Sequence, residues 1–155
     1  MTTVNTLLSG GQGTAVPSGF VGSYYTAGGT GGTISPASSG YKNMLSLTPS
    51  VYGVYLVTGQ GAYFVSGSSP TGFTYFGVAI NNSSSTSGGS GGTGGFITNP
   101  QTVNALAQTL ATTPQIFIIN ASNPTLYLNV LTTYTTQNGL TLDLNESYLQ
   151  AVRLA

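Results

Sequence analysis

Short runs of β-branched and aromatic residues recur along this chain, and clusters of Gly, Ser, Asn or Pro separate them. The clearest run, 51–57, reads Val-Tyr-Gly-Val-Tyr-Leu-Val and is too short for a typical helix. Such runs at short intervals are typical of all-β proteins. The predicted strands are 16–25, 44–47, 51–57, 61–65, 73–80, 115–120, 125–135, 140–144 and 148–155.

Helical periodicity occurs in one place. Val103, Leu106 and Leu110 lie three and four residues apart, but the Thr-rich flanks limit this segment to a short helical turn. Two dipeptides, Asn123-Pro124 and Asn138-Gly139, predict turns, and the second is a strong hairpin signal. We therefore predict a single-domain antiparallel β-sandwich of about eight or nine strands, with little or no helix.

Two segments fall outside the predicted strands. Residues 81–95 contain only Asn, Ser, Thr and Gly, which predicts a long flexible surface loop within one domain. Residues 1–15 are rich in Thr and Gly, and besides the first Met their only large apolar side chains are Val4, Leu7 and Leu8. Because such a segment cannot fold alone, we expect an extended arm that becomes ordered on a partner and anchors the protein there. A tail without a role is the alternative.

The residues that most enzymes need are missing. The chain has no His and no Cys, and its only charged side chains are Lys42, Asp143, Glu146 and Arg153. A Ser-His-Asp arrangement and metal sites built on imidazole or thiolate are therefore impossible within this chain. Asp143 and Glu146, three residues apart, predict a polar turn, although catalysis or calcium binding is the alternative. We predict no enzymatic activity, no cofactor and no metal.

The charge balance also restricts the partners. Net charge is zero, which excludes the basic surface that nucleic-acid binding requires. No apolar stretch approaches a membrane span, and the first residues do not resemble a signal peptide, so we expect no membrane contact. An uncharged protein lacks the repulsion that keeps monomers apart, which favours life in an assembly.

Two parts of the sequence resemble known proteins. Val16-Pro-Ser-Gly-Phe-Val-Gly22, with Leu47-Thr-Pro-Ser-Val-Tyr-Gly-Val-Tyr-Leu-Val57, is similar to the opening of small phage virion proteins. The end, Ser147-Tyr-Leu-Gln-Ala-Val-Arg-Leu-Ala155, resembles the last strand of jelly rolls like tumour necrosis factor and the complement globular head. The missing Gly before Tyr52 and the insertion at 81–95 depart from the pattern. The resemblance implies that residues 16–155 form a jelly roll that assembles as a homotrimer.

Two classes of function follow from this resemblance. The first is a structural protein of the virion surface, assembled in the host cytoplasm: a capsid decoration (cement) or head-fibre protein bound to the major capsid protein or another virion protein. The alternative is a binding role, as the receptor- or glycan-binding tip of a tail fibre or as a bacterial surface adhesion module. The few residues before the first predicted strand favour decoration, whereas ten Tyr would suit glycan stacking.

The last predicted strand carries Arg153, a candidate subunit-interface residue. Alternation divides 148–155 into two faces, and the set with two aliphatic residues and a Tyr is predicted to face the core. That set is Tyr148, Gln150, Val152 and Leu154. Arg153 would then lie on the outer face near a neighbouring subunit, where Asp143, Glu146 or the C-terminal carboxylate could pair with it.

Overall fold

The computed structural model describes residues 21–29, 31–36, 40–66, 70–82, 96–98 and 108–155. These residues form eleven strands and no helix, so the predicted all-β class is confirmed. The strands are β1 (Tyr24–Gly28), β2 (Thr33–Ile34), β3 (Gly40–Leu47), β4 (Gly53–Val65), β5 (Tyr75–Asn81), β6 (Phe96–Thr98), β7 (Gln108–Ala111), β8 (Gln115–Ile119), β9 (Leu126–Thr133), β10 (Leu140–Asp143) and β11 (Tyr148–Arg153).

The strands form two antiparallel sheets. The front sheet has the order β1-β11-β4-β10-β2, and β7 and β8 also pair with β4, along its other edge. The back sheet has the order β3-β9-β5-β6. Each sheet joins strands that are distant in sequence, β1 with β11 and β3 with β9. Hairpins alone would not bring these strands together, and the arrangement is that of a jelly-roll type sandwich.

The core lies between the two sheets. In β9, Leu126, Leu128 and Val130 alternate inward and are fully buried, as expected for strands with one face on a core. From the front sheet, Tyr63 meets Phe76 of β5 with ring centroids 4.7 Å apart. Each large apolar side chain buried in this way contributes about 1.5–3 kcal/mol. The apolar face of each sheet therefore requires the other sheet.

The prediction of two strands at 51–57 and 61–65 is wrong, because β4 is continuous from Gly53 to Val65. Gly59 and Gly61, which resemble a turn in the sequence, lie on the buried side of β4. A Cβ at Gly61 would be 2.4 Å from Cγ1 of Val78, and one at Gly59 would be 2.8 Å from Cδ1 of Leu128. The glycines therefore allow the back sheet to approach the middle of β4 closely.

Strand β4 changes neighbours on both edges, and a buried hydroxyl lies at each change. Where β8 gives way to β7, the amide of Gly59 donates to Thr112 Oγ1 at 3.0 Å, and the Thr112 amide donates to the Gly59 carbonyl at 2.8 Å. Where β11 gives way to β10, the amide of Ala62 donates to Ser147 Oγ at 3.0 Å. Ser147 Oγ in turn donates to the carbonyl of Asp143. These hydroxyls satisfy amides that no strand reaches.

The structure revises two further local predictions. Part of the segment with helical periodicity is strand β7, since Gln108–Ala111 pairs with β4; the rest, 103–107, lies outside the described residues. The Asn138-Gly139 turn is present, with φ of 27° and 72°, but it joins no hairpin. Strand β9 before it belongs to the back sheet and β10 after it to the front sheet. In both places pairing across the sandwich overrides the local signal.

The predicted arm, 1–15, lies outside the described residues, as does most of the predicted loop. Strand β5 extends into the first position of that loop, because Asn81 pairs with Tyr127 and is buried. No helix in the described part of the chain is long and apolar enough to cross a membrane.

Candidate interaction surface

The outer face of the front sheet is apolar. In β4, Tyr55 and Val57 are buried against the back sheet, so Val54 and Leu56 point away from the core. Leu56 is 37% exposed although it lies on a central strand of the sheet. A solvated face would ordinarily carry polar side chains at these positions.

The apolar surface continues across four strands in register. Leu56 lies opposite Ile116 of β8 on one side and Val152 of β11 on the other, and Val152 lies opposite Tyr24 of β1. Since neighbouring strands lie about 4.8 Å apart, this row spans roughly 14 Å. Four side chains without charge therefore form one stripe.

A second row lies beside the first. Val54 is the register partner of Ile118, and the amide of Leu154 donates to the Val54 carbonyl at 2.7 Å. Ile116 and Ile118 are the most exposed members of the two rows, at 67% and 64%. We call the two rows the apolar outer face: Tyr24, Val54, Leu56, Ile116, Ile118, Val152 and Leu154.

The size of the apolar outer face separates it from ordinary surface residues. Single exposed aliphatic side chains are common and need no explanation. Here seven apolar side chains are contiguous and expose on the order of 500 Å², which is at the upper end for a monomer. None of them is charged, and Lys42, the one basic residue besides Arg153, lies on β3 in the other sheet. Its composition is that of the buried centre of a protein–protein interface.

The outer face of the back sheet differs, because three asparagines form a ladder across it. Asn129 of β9 donates through Nδ2 to Asn81 Oδ1 of β5 at 2.7 Å. Asn43 of β3 donates through Nδ2 to Asn129 Oδ1 at 3.4 Å and to the carbonyl of Leu45 at 3.0 Å. The two outer faces of the sandwich therefore have different chemistry.

The predicted orientation of the last strand is wrong. Leu149 and Ala151 are fully buried, so Val152 and Leu154 belong to the apolar outer face and not to the core. The prediction assumed that the more aliphatic face must be the buried one. That assumption fails because both faces of β11 are apolar, and the larger side chains lie on the outer one.

Arg153 consequently points to the same side as Leu149 and Ala151, at the end of the sandwich. Its Nη2 donates to the carbonyl of Tyr52 at 3.4 Å. Burial and the neighbouring Tyr25 raise the pKa of Tyr55, whereas the positive charge of Arg153 opposes that rise. Arg153 therefore acts on the Tyr52–Tyr55 part of β4, and its role at a subunit interface stays a prediction.

The two carboxylates are remote from Arg153 within one chain. They lie before the first residue of β11, and Arg153 is its last, roughly 17 Å away at 3.3 Å per residue. The predicted polar turn is confirmed: Asp143 Oδ1 accepts from the amide of Asn145 at 2.9 Å, and Glu146 is exposed. The described ranges hold no group of three His, Cys, Asp or Glu side chains that could bind a metal.

The other predicted site residues, Val4, Leu7 and Leu8, lie outside the described residues. The sequence analysis did not single out Ile116 and Ile118, although the sequence carried a signal for them. Residues 116–119 form a continuous apolar run, and a strand that is apolar on both faces must be covered on both. The sandwich covers one face, and the other belongs to the apolar outer face.

Comparisons with known proteins add one structural likeness. No protein-family model matches the sequence. A search of curated proteins finds no match either. Among solved structures, a chain in "Structure of infectious bursal disease virus Gt strain" is similar, with a TM-score of 0.37 and 12% sequence identity. The likeness covers 86% of this chain and 38% of that chain, so this protein spans well under half the length of the viral one.

Proposed function

We propose that this protein is a non-enzymatic structural protein of a virion and that it works as a homotrimer. The observation that carries the proposal is the apolar outer face, seven uncharged side chains in register on four strands. The composition supports it further, because the chain has no His or Cys for catalysis and no net charge to oppose association.

A second copy of the chain suits the apolar outer face as a partner. The face offers no charge to a charged partner, and every copy carries the same apolar surface. Burying on the order of 500 Å² contributes about 12 kcal/mol per subunit as an upper limit. Association itself costs about 4–15 kcal/mol, so the face must be buried almost completely to hold an assembly together.

The asymmetry of the apolar outer face favours a trimer over a dimer. Its β1 side presents the aromatic ring of Tyr24, and its β8 side presents the protruding Ile116 and Ile118. Packing the β8 side of one copy on the β1 side of the next is a heterologous contact, which forms a ring when the rotation closes. Three copies form the smallest ring of this kind.

Within the virion, the role we propose is capsid decoration or a head fibre on a phage surface, with the major capsid protein or another virion protein as partner. The arm at 1–15, with Val4, Leu7 and Leu8, would anchor the trimer. The alternative is a receptor- or glycan-binding tip or an adhesion module. Tyr41 and Tyr52, which are 39% and 56% exposed, favour that alternative, since such rings can stack on sugars.

Electron microscopy of the particles that carry this protein tests the proposed location. Three-fold density on the shell would support decoration, and density at the tip of a tail would support receptor binding. Particles without the protein on either would contradict a virion role. Deleting residues 2–13 tests the anchor: we expect the variant to be lost from the particle, and occupancy equal to that of the wild type would contradict anchoring.

A further inference from the structure

Strand β8 leaves an open edge on the front sheet. It pairs with β4 along one side, and no other described residue pairs with it. Its five residues, Gln-Ile-Phe-Ile-Ile, contain no charge, no Gly and no Pro. Alternate residues of an antiparallel strand turn their amide and carbonyl groups to the same side, so an open edge presents a row of unused donors and acceptors. Such an edge is a template for another strand.

The outer edge of the back sheet shows how this protein protects an edge. Strand β3 carries the exposed Lys42, and its register with β9 shifts between Asn43 and Leu45 at a β-bulge. A charge and a bulge are two devices that prevent strands from adding to an edge. Strand β8 has neither, and it exposes two isoleucines instead. The difference indicates that the β8 edge is meant to be paired.

We propose that the β8 edge receives residues 2–8 of a neighbouring copy as an added strand. This proposal rests on the proposed function only in requiring an assembly of copies. The segment reads Thr-Thr-Val-Asn-Thr-Leu-Leu and is uncharged and rich in β-branched residues, which suits strand addition. Alternation places Val4, Thr6 and Leu8 on one side of such a strand, where they extend the row of Ile116 and Ile118.

The beginning of the described chain allows this exchange. The amide of Gly22 donates to the carbonyl of Arg153 at 2.7 Å, so the chain emerges at the end of β11, beside β1. Between β1 and β8 lie Leu56 and Leu154 of the apolar outer face, both exposed. The residues between 8 and 21 span up to about 40 Å when extended, which matches the width of a domain of this size. An arm that leaves at the β1 side can therefore reach the β8 side of the next copy.

Cysteine pairs test this arrangement directly, because the natural chain contains no Cys. Full-length chains carrying Thr6→Cys and full-length chains carrying Ile118→Cys, each with its own tag, are co-expressed and oxidised. Thr133→Cys replaces Ile118→Cys as the matched control, since Thr133 is an exposed strand residue of the back sheet. We expect the disulfide between differently tagged chains to form at least about tenfold more readily with Ile118→Cys, because pairing raises the effective concentration of the thiols.

Equal yields for the two pairs would overturn the proposal. So would a Thr6→Cys/Ile118→Cys double variant that closes its disulfide within one chain while the mixed chains form none, because the arm would then serve its own subunit.

Hydrogen exchange provides a second measurement that involves no new side chain. Deleting residues 2–13 is expected to speed exchange of the β8 amides by about tenfold or more, while the buried β9 amides stay unchanged. Unchanged β8 exchange would contradict the proposal. If the undeleted chain is trimeric but shows no preferred cross-link, this inference fails alone. A monomeric wild-type chain without cross-chain disulfides would overturn the proposed function as well.

Discussion

Ile116 of β8 and Leu56 of β4 are register partners on the outer face of the front sheet, and both side chains are exposed. Their neighbours in the same strands, Phe117 and Tyr55, are buried in the core. The two strands are thus apolar on both sides, although the sandwich covers only one. This relationship is the basis for the assembly that we propose.

The hydroxyls of Ser147 and Thr112 are expected to contribute to stability out of proportion to their size. Ser147→Ala leaves the buried amide of Ala62 without its acceptor, and Thr112→Val does the same to Gly59. Each substitution should lower the free energy of unfolding by about 1–3 kcal/mol, measured by urea denaturation. Thr48→Val removes an exposed hydroxyl contact with Thr125 and serves as the control, with an expected change below about 0.5 kcal/mol. Losses equal to the control would show that water can replace both hydroxyls.

Gly61 is expected to tolerate no side chain while Val78 is present. Gly61→Ala places a Cβ 2.4 Å from Cγ1 of Val78, and the overpacking should cost about 1–3 kcal/mol. Val78→Ala removes the colliding methyl group. In a double-mutant cycle the two substitutions together should therefore cost less than the sum of their separate effects. Additive costs would indicate that the collision with Val78 is not the cause.

Alkaline pH should destabilise the fold. Burial raises the pKa of Tyr63 above its ordinary value of 10.0, and burial together with Tyr25 raises that of Tyr55. The unfolded chain therefore releases these protons first as pH increases. The stabilising contribution is complete below pH 10.0 and is lost as pH rises through the higher folded-state pKa. Urea midpoints should fall steadily above about pH 10, and less so in Tyr63→Phe. A midpoint that is constant up to pH 12 would contradict this account.

Arg153→Met tests the predicted interface role of Arg153. The substitution keeps an apolar stem but removes the charge and the donor to the Tyr52 carbonyl. If a neighbouring subunit supplies the partner of a desolvated Arg153, the loss is on the order of 3–5 kcal/mol. We expect a lower and concentration-dependent Tm for the oligomer. An unchanged Tm would show that Arg153 has no interface role.

The fold class could be predicted because strand runs and turn residues are local signals. Asn123-Pro124 is a turn as predicted: the Asn123 amide donates to both the carbonyl and Oδ1 of Asn120. The continuity of β4 could not be predicted, because Gly59 and Gly61 resemble a break until Leu128 and Val78 are known to lie against them. Local sequence does not record which distant side chain approaches a glycine.

The candidate surface was only partly predictable, for a related reason. Low charge predicts association, but it does not indicate which face associates. In β11 the pattern predicted the wrong core face, since Val152 and Leu154 are larger than Ala151 and yet lie outside. A strand with two apolar faces carries no internal signal of direction. Only the register with β4 and β1 shows which face lies against the core.

Sedimentation velocity of the full chain at micromolar concentration tests the central claim most directly. We expect the wild type to sediment at about three times the 15.7 kDa of one chain, and Ile116→Lys/Ile118→Lys to sediment as a folded monomer. Thr133→Lys adds the same charge to an exposed strand of the back sheet and should stay trimeric. A wild-type chain that sediments at 15.7 kDa with no larger species, or a trimer that survives lysine at both Ile116 and Ile118, would contradict the account.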